Sequence, residues 1–124
     1  MSTPLLVTVS LPPKALSPNA RPHWAAKAAA VKKHKAEAEM LARLAITHPR
    51  KRLPVRGFLI VKPTFYYRVT RNRDRDNLQA SLKAALDGIA SALDIDDSRF
   101  LVEVASIEID KDDPRVEIEI RAAS

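Results

Sequence analysis

Residues 55–93, VRGFLIVKPTFYYRVTRNRDRDNLQASLKAALDGIASAL, decide the fold of this 124-residue chain. Their first part, up to Tyr67, is rich in Val, Ile, Phe and Tyr and predicts a β-strand, in which Pro63 indicates a bend or a sheet edge. From about Asn77 to Leu93 the apolar residues recur every three or four positions, which predicts an amphipathic helix. The stretch is therefore a strand joined to a helix by a short basic connector.

The segments on either side complete a mixed fold. A β-rich run at 5–9 predicts a first strand, and the stretch 23–47, which contains no Gly or Pro, predicts a long helix. Residues 101–110 and 115–121 alternate between apolar and polar side chains and predict a β-hairpin. The predicted order is β-α-β-α-β-β. We therefore expect an α+β fold with one small mixed sheet and two helices packed on it.

Length and composition narrow the class of protein. A chain of 124 residues has the size of one domain, so residues 1–124 are expected to fold as a single unit. There is no cysteine, no apolar run long enough for a bilayer and no secretory signal, which predicts a cytoplasmic protein without membrane attachment. Residues 1–73 hold 15 Lys and Arg against two acids, whereas residues 74–124 hold six against 13. The basic part predicts a polyanionic partner, and the neighbouring acids predict metal ions between the two.

An acidic motif lies between the central strand and its helix. Asp74 and Asp76 are two residues apart, so in an extended chain their carboxylates point to the same side and can share a hard cation such as Mg²⁺. A second cluster, Asp94-Ile95-Asp96-Asp97, follows the helix. The alternative is that Asp76 caps the helix and the later aspartates lie in a solvated turn. Three flanking arginines favour a site where metal and phosphate meet: Arg71, Arg73 and Arg75.

Further cations lie on the first predicted helix: Lys32, Lys33 and Lys35. Alone, such a set is as readily a solvated helix face as a phosphate-binding surface. Together with Arg50-Lys51-Arg52 and the arginines before Asp74, it favours a surface that follows a nucleic-acid backbone. Two other residues are expected to serve packing. Trp24, at the start of the first predicted helix, is expected in the core, and Gly88 is expected to allow close packing of the second predicted helix.

These motifs resemble those of the RusA-type Holliday-junction resolvases, small dimeric endonucleases of phage and bacterial genomes. The resemblance covers roughly residues 5–120. Its segments are Asp74-Arg75-Asp76-Asn77-Leu78 with Lys83 and Asp87, then Asp96-Asp97-Ser98, and near the N-terminus Leu11-Pro12-Pro13 and Ser17-Pro18-Asn19. The family commonly has a lysine four residues after its second aspartate, where this chain has Ala80. Either Lys83, nearly one turn further on, stands in for that lysine, or Lys83 is a solvated surface residue.

The resemblance implies both site residues and a function. Asp74, Asp76 and Asp97 would bind a catalytic Mg²⁺, for which Mn²⁺ can substitute, and Lys83 would assist electrostatically. By resemblance alone, two further residues would line the DNA channel, Asn19 and Arg21. The expected function is a Mg²⁺-dependent endonuclease that resolves four-way DNA junctions in recombination and repair, as a homodimer without a small-molecule cofactor. The alternatives are a non-catalytic nucleic-acid-binding module and a metal-dependent nuclease of flap DNA or RNA.

The length of the second predicted helix bears on how the site is assembled. As a helix, residues 77–92 extend roughly 24 Å at ~1.5 Å per residue, with Asp74 before and Asp97 after them. Asp97 reaches the metal of its own protomer only if residues 93–97 run back almost fully extended. Two such helices, antiparallel about a two-fold axis, would instead bring Asp97 near the Asp74 of a second copy. The sequence leaves both arrangements open.

Overall fold

The computed structural model describes residues 4–17, 23–46 and 57–123. They form one mixed β-sheet with helices against one face, which confirms the predicted α+β class. The strands are β1 (Leu5–Val9), β2 (Leu59–Tyr67), β3 (Phe100–Val102), β4 (Ser106–Ile109) and β5 (Arg115–Ala122). The helices are α1 (Trp24–Ile46), α2 (Arg75–Ser81) and α3 (Lys83–Leu93), with 3₁₀ turns η1 (Lys14–Leu16) and η2 (Asp97–Arg99). None of the helices in this described part has the length and apolar content needed to span a bilayer.

The sheet has the strand order β1-β5-β2-β3, and β4 also pairs with β2. β5 is antiparallel to both β1 and β2, whereas β3 and β4 are parallel to β2. The predicted hairpin is wrong, because β2 lies between β4 and β5: Ile109 pairs with Tyr67, and Arg115 pairs with Tyr66. Alternation of apolar residues determines which face of a strand is buried but not which strand lies beside it.

Pro63 lies inside the central strand β2 rather than at a sheet edge. The Val61 carbonyl accepts a hydrogen bond from the N–H of Glu103 (2.8 Å), which lies between β3 and β4. Because backbone groups point alternately to the two sides of a strand, the backbone of Pro63 points toward the same β3–β4 segment, but proline has no N–H to donate. The outer strand is interrupted at this point, where residues 103–105 form a bulge opposite Lys62 and Pro63.

The helix predicted over residues 77–93 is divided into α2 and α3 at Leu82. The Ser81 hydroxyl donates to the Leu78 carbonyl (2.6 Å), which is the acceptor that the Leu82 N–H would use in a continuous helix. The Leu82 N–H donates instead to the Gln79 carbonyl (3.1 Å). The predicted order of elements therefore holds roughly, with one predicted helix and one predicted strand each present in two parts.

α1 packs against α3 through small residues. Ala38 and Ala42 of α1 are fully buried. Gly88 of α3 lies directly against the α1 backbone, since a Cβ at this position would clash with the Lys35 carbonyl and approach the Glu39 nitrogen to 3.0 Å. The close contact predicted for Gly88 is confirmed.

The first half of α1 lies outside this packed layer. The buried residues of the helix are His34, Ala38 and Ala42, all in its second half, whereas residues 23–33 are exposed except for the half-buried Ala30. The prediction that Trp24 belongs to the core is wrong, because Trp24 is 76% exposed. Helical periodicity places it on the buried side of α1, but the described core covers only the second half of the helix.

Candidate nucleic-acid and metal site

The arginine-rich connector leaves the carboxyl end of β2 and is held there by Tyr67. The Arg73 guanidinium lies over the Tyr67 ring, with Cζ 3.5 Å from the ring centroid. Its Nη1 also donates to the carbonyls of Val69 (3.4 Å) and Arg71 (3.3 Å). Burial raises the pKa of Tyr67, and the nearby arginine charges partly offset this effect. Arg73, which was predicted to contact nucleic acid, thus also stabilises the conformation of the connector.

Asp74 begins α2 as its N-cap. Its Oδ1 accepts the backbone N–H groups of Asp76 (2.9 Å) and Asn77 (3.4 Å), and a carboxylate is favoured at a helix N-terminus. The cap is therefore Asp74 and not Asp76, the residue considered for this role from the sequence, and Asp76 lies exposed in the first turn. The two bonds use one oxygen of the Asp74 carboxylate.

α2 is fastened to the bulge at residues 103–105 by two side chains. Arg75 Nε donates to the Ala105 carbonyl (3.2 Å), and the Ala105 N–H donates to Gln79 Oε1 (3.3 Å). The bulge interrupts the ladder with β2 here, and the side chains satisfy these backbone groups. The interruption of the outer strand thereby fixes the position of α2 and of Asp74. Sequence reasoning missed Gln79, because nothing in the local sequence marks it.

Lys83 brings two aspartates together beside α3. Its Nζ lies 3.5 Å from Asp87 Oδ1 and 3.6 Å from Asp97 Oδ2. The Lys83 side chain is 74% exposed and the carboxylates are partly exposed, so these ion pairs contribute little to stability. The contacts matter because they place the Lys83 ammonium group between the carboxylates of Asp87 and Asp97, and Asp97 is a predicted metal ligand.

Asp97 reaches this position because the chain reverses at Asp94. Asp94 has a φ of 56°, which is the left-handed conformation that commonly ends a helix. The Ile95 N–H donates to the Ala90 carbonyl (3.0 Å) and the Asp94 N–H to the Ser91 carbonyl (3.1 Å), which is a Schellman motif. The chain then runs back beside α3. The reversal brings Asp97 to Lys83 at the start of α3, and residues 93–97 are not fully extended, because Leu93 is helical and Asp94 is left-handed.

The neighbouring Asp96 has a local bonding role. Its Oδ1 accepts the Ser98 N–H (2.8 Å) and begins η2. Bonds from the backbone and the hydroxyl of Ser98 hold the pKa of Asp96 below its usual value. Of the two adjacent carboxylates, Asp96 thus stabilises the turn and Asp97 faces Lys83.

The predicted metal ligands surround α2 and the start of α3 but are not gathered into one cluster. Asp74 and Asp76 lie at the start of α2, whereas Asp97 contacts Lys83. Across the described ranges, no three acidic or histidine side chains come close enough together to hold a metal ion. The donor chemistry nevertheless fits Mg²⁺, which takes one or two carboxylates and completes its shell with water and phosphate oxygens.

The lysines predicted to contact nucleic acid are exposed on α1: Lys32, Lys33 and Lys35. Arg71 is likewise exposed in the connector. The predictions for Asn19, Arg21 and the run 50–52 fall outside the described residues. The predicted nucleic-acid contacts within the described residues are therefore divided between α1 and the segment formed by the connector and the first residue of α2.

The sheet face away from the helices carries charges that pair with one another. Arg115 lies 2.8 Å from Asp110 and 2.9 Å from Glu117, and Arg121 lies 2.9 Å from Glu103. The bond from Arg115 lowers the pKa of Asp110, and the same contact raises that of Arg115. Because cations and carboxylates are matched here, a polyanion is better placed on the helix side. Sequence reasoning missed this network, although charges alternate with apolar residues along β5.

The fold and the site define a small α+β protein that carries an arginine-rich connector and an aspartate-capped helix at the carboxyl end of its central strand. Residues 13–121 match the family model described as Endodeoxyribonuclease RusA, and the chain belongs to this family. An "uncharacterized protein" of Xylella fastidiosa (strain Temecula1 / ATCC 700964) is 44% identical over 95 residues, which are 77% of this chain. The chain spans 61% of the length of that relative.

Proposed function

We propose that this protein is a Mg²⁺-dependent endonuclease that resolves four-way DNA junctions in the cytoplasm during recombination and repair. The family match includes every aspartate of the candidate site. The observation that carries the proposal is the placement of the connector, with exposed Arg71, directly before Asp74 and Asp76 at the carboxyl end of β2. Cations that attract phosphate thus adjoin carboxylates that can hold a metal ion.

In this proposal Asp74, Asp76 and Asp97 hold Mg²⁺, and Mn²⁺ can substitute. When bound, the ion would supply Lewis-acid stabilisation of the phosphate and a more acidic water. Asp74 keeps its capping bonds through Oδ1 and offers its other oxygen. Lys83 contacts Asp97 and would stabilise negative charge on the phosphate during the reaction.

The cations of the chain bind the DNA backbone. Lys32, Lys33, Lys35 and Arg71 are exposed and contact phosphates, whereas Arg73 and Arg75 hold the connector and α2 in position as well. Such binding releases counterions, so affinity falls steeply as the salt concentration rises.

The proposed assembly is an isologous homodimer, because two cuts on a nearly two-fold junction require two related sites. Each site belongs to one protomer. This choice is supported by the reversal at Asp94, which returns Asp97 to Lys83 of the same chain.

Competition between substrates tests the function. A four-way junction, a flap, a linear duplex and an RNA of equal length are offered in Mg²⁺, in Mn²⁺ and in chelator. We expect metal-dependent cleavage with the junction preferred. Preference for the flap or the RNA would replace the substrate class, and binding without cleavage would indicate a non-catalytic nucleic-acid-binding module.

Substitution of the aspartates tests the site. Asp74→Asn, Asp76→Asn and Asp97→Asn should each lower cleavage by about 100-fold or more, because metal contacts supply several kcal/mol to the transition state. Asn caps a helix as well as Asp, so Asp74→Asn keeps α2 intact. Junction binding should be equal or stronger, since a charge that repels phosphate is removed. Asp112→Asn, on an exposed turn, is the matched control. Wild-type cleavage by any of the three variants would remove that residue from the site.

A further inference from the structure

His23 and the first half of α1 form a basic arm, defined here as residues 23–35. It carries Lys27, Lys32, Lys33 and Lys35 and no acidic residue. Up to Lys33 its side chains are exposed except for the half-buried Ala30. Trp24 lies near its tip and is 76% exposed. An exposed indole ring beside cations is the combination that single-stranded nucleic-acid sites use for stacking on bases and binding the backbone.

The arm extends past the carboxyl end of the sheet. The Ser10 N–H and hydroxyl, directly after β1, donate to Glu37 Oε1 (2.9 and 2.7 Å), so this end of β1 lies level with the middle of α1. Residues 24–36 are one continuous helical stretch before that point, and at ~1.5 Å per residue they reach about 20 Å beyond it.

The candidate site lies at the same end of the sheet. β1 and β2 are both antiparallel to β5 and therefore parallel to each other. Each is followed by a helix that returns toward the start of the next strand, so α1 and α3 run in the same direction and begin at the same end. The arm, the Asp74 cap and Lys83 of α3 thus all lie at the carboxyl end of the strands.

We propose that the basic arm docks on branched DNA and that Trp24 stacks on a base face exposed at the branch, where stacking between base pairs is interrupted. The proposal rests on the proposed function for the identity of the DNA. Exposed base faces stack on aromatic side chains, and neighbouring cations bind the backbone that carries the bases. Helical spacing places Lys27, Val31 and Lys35 on the face of Trp24, at i+3, i+7 and i+11, so the cations accompany the ring.

The charge of the arm favours DNA over a second copy of the chain. Two arms packed together would bring eight lysines into contact without a carboxylate from residues 23–35. Like charges oppose such packing, whereas phosphates neutralise them. The described ring neighbour of Trp24 is His23, at 5.6 Å between centroids and tilted by 33°.

Fluorescence reads out this contact directly, because Trp24 is the only tryptophan of the chain. The probe is Asp74→Asn protein, which should bind without cleaving, titrated at constant salt with a four-way junction and with a linear duplex of equal length. We expect strong quenching by the junction and weaker quenching by the duplex. Equal fluorescence in the presence and absence of bound junction would overturn the stacking proposal.

Substitutions at the arm separate stacking from charge. Trp24→Ala should weaken junction binding by about 10-fold, Trp24→Phe should retain most of the affinity, and duplex binding should change less. Lys27→Gln should weaken binding of the junction and of the duplex to a similar extent. Trp24 is exposed, so each variant should melt like the wild type. Unchanged junction affinity in Trp24→Ala, or a shift in its oligomeric state by light scattering, would contradict the proposal, the latter by showing a protein interface.

Failure of this inference is distinguishable from failure of the function. Quenching by the junction without any metal-dependent cleavage by the wild type would leave the arm proposal standing and overturn the nuclease. Junction cleavage with unquenched Trp24 and unchanged affinity in Trp24→Ala would overturn only the arm proposal.

Discussion

The Lys83 ammonium group lies 3.6 Å from the Asp97 carboxylate, although the two residues are 14 positions apart and α3 runs between them. The left-handed turn at Asp94 makes this contact possible. The pair joins the first residue of α3 to the acidic cluster that follows the same helix. A cation thus lies against a proposed metal ligand, which gives Lys83 an effect on metal binding that can be measured.

Replacing Lys83 should affect metal binding and cleavage in opposite directions. In Lys83→Met the stem is kept and the charge is lost, so Asp97 is no longer shared with an ammonium group. Two charges at about 4 Å in water interact by about 1 kcal/mol, so the affinity for Mn²⁺ should rise by about 2- to 5-fold. Cleavage should fall by about 10- to 100-fold through loss of charge stabilisation. Calorimetric titration and single-turnover cleavage measure the two effects.

Lys111→Met, in the exposed loop before β5, is the control for Lys83→Met and should change neither quantity. An unchanged Mn²⁺ affinity in Lys83→Met would separate the Lys83–Asp97 pair from the metal site.

Divalent ions should raise the melting temperature. An ion that binds only the folded state adds about 1.4 kcal/mol of stability at ten times its Kd, which corresponds to a few degrees for a chain of this size. NaCl at matched ionic strength should do less, because it screens charges without occupying a site. Scanning calorimetry with MgCl₂, MnCl₂ and NaCl makes the comparison, and Asp97→Asn should lose the divalent effect. Equal shifts from the three salts would indicate screening alone.

His34 should make the stability depend on pH. The side chain is 3% exposed, and its Nε2 has no hydrogen-bond partner within the described ranges. Burial lowers its pKa, while the charge of Glu37 acts in the opposite direction. Below about pH 6.5 the unfolded state then binds a proton that the folded state does not bind. As the pH is lowered below this value, the free energy of unfolding should therefore fall, with a slope approaching about 1.4 kcal/mol per pH unit. The fall ends when the pH reaches the lowered pKa of His34 in the folded state.

Urea titrations between about pH 7.5 and pH 5 measure this slope, with His34→Leu and His23→Asn for comparison. His34→Leu should flatten the profile, because the titrating group is gone. His23 is exposed, so His23→Asn should keep the wild-type slope. The same slope in wild type and His34→Leu would assign the pH dependence to other groups.

Gly88→Ala should destabilise the protein although alanine is the better helix former. The added Cβ would meet the Lys35 carbonyl, and backbone of α1 cannot yield as a flexible side chain would. Overpacking of this kind costs about 1–3 kcal/mol, against a gain of about 1 kcal/mol in helix propensity. Ala80→Gly, at an exposed position of α2, should also destabilise, by about 1 kcal/mol from propensity alone. A raised melting temperature for Gly88→Ala would mean that the two helices are not in close contact there.

Periodicity predicted most elements of this fold, because it depends on local sequence. The helix expected over 23–47 is α1, and the strand expected up to Tyr67 is β2. Strand order depends on contacts far apart in sequence, so the placement of β2 between β4 and β5 was missed. The division at Leu82 was missed for a local reason: the apolar residues keep their helical spacing on both sides of it, and only the bond from the Ser81 hydroxyl to the Leu78 carbonyl reveals the break.

The residues of the candidate site could be predicted from the sequence, but their spatial arrangement could be predicted only in part. The spacing of Asp74 and Asp76 indicated paired carboxylates, but extended geometry does not apply once Asp74 caps a helix. The contact of Lys83 with Asp97 depends on one left-handed residue, Asp94, at a position where glycine is usual. The prediction that Trp24 is buried was wrong because periodicity identifies the face of a helix but not whether other elements cover that face.

Mixing two inactive variants tests whether each site lies within one protomer. Asp74→Asn protein and Asp97→Asn protein are combined after verified subunit exchange and assayed for nicking of one junction strand. If Asp74 and Asp97 of the same chain serve one site, every site in the mixed dimer carries a lesion, and no activity should return. If the site is shared, one site of the mixed dimer carries both lesions and the other is intact. Because about half of the dimers are mixed after exchange of equal amounts, nicking should recover toward about a quarter of the wild-type rate. The reversal that brings Asp97 to Lys83 supports the first outcome. Recovered nicking would place Asp97 in the site of the second copy and require its pair with Lys83 to open when the dimer binds DNA.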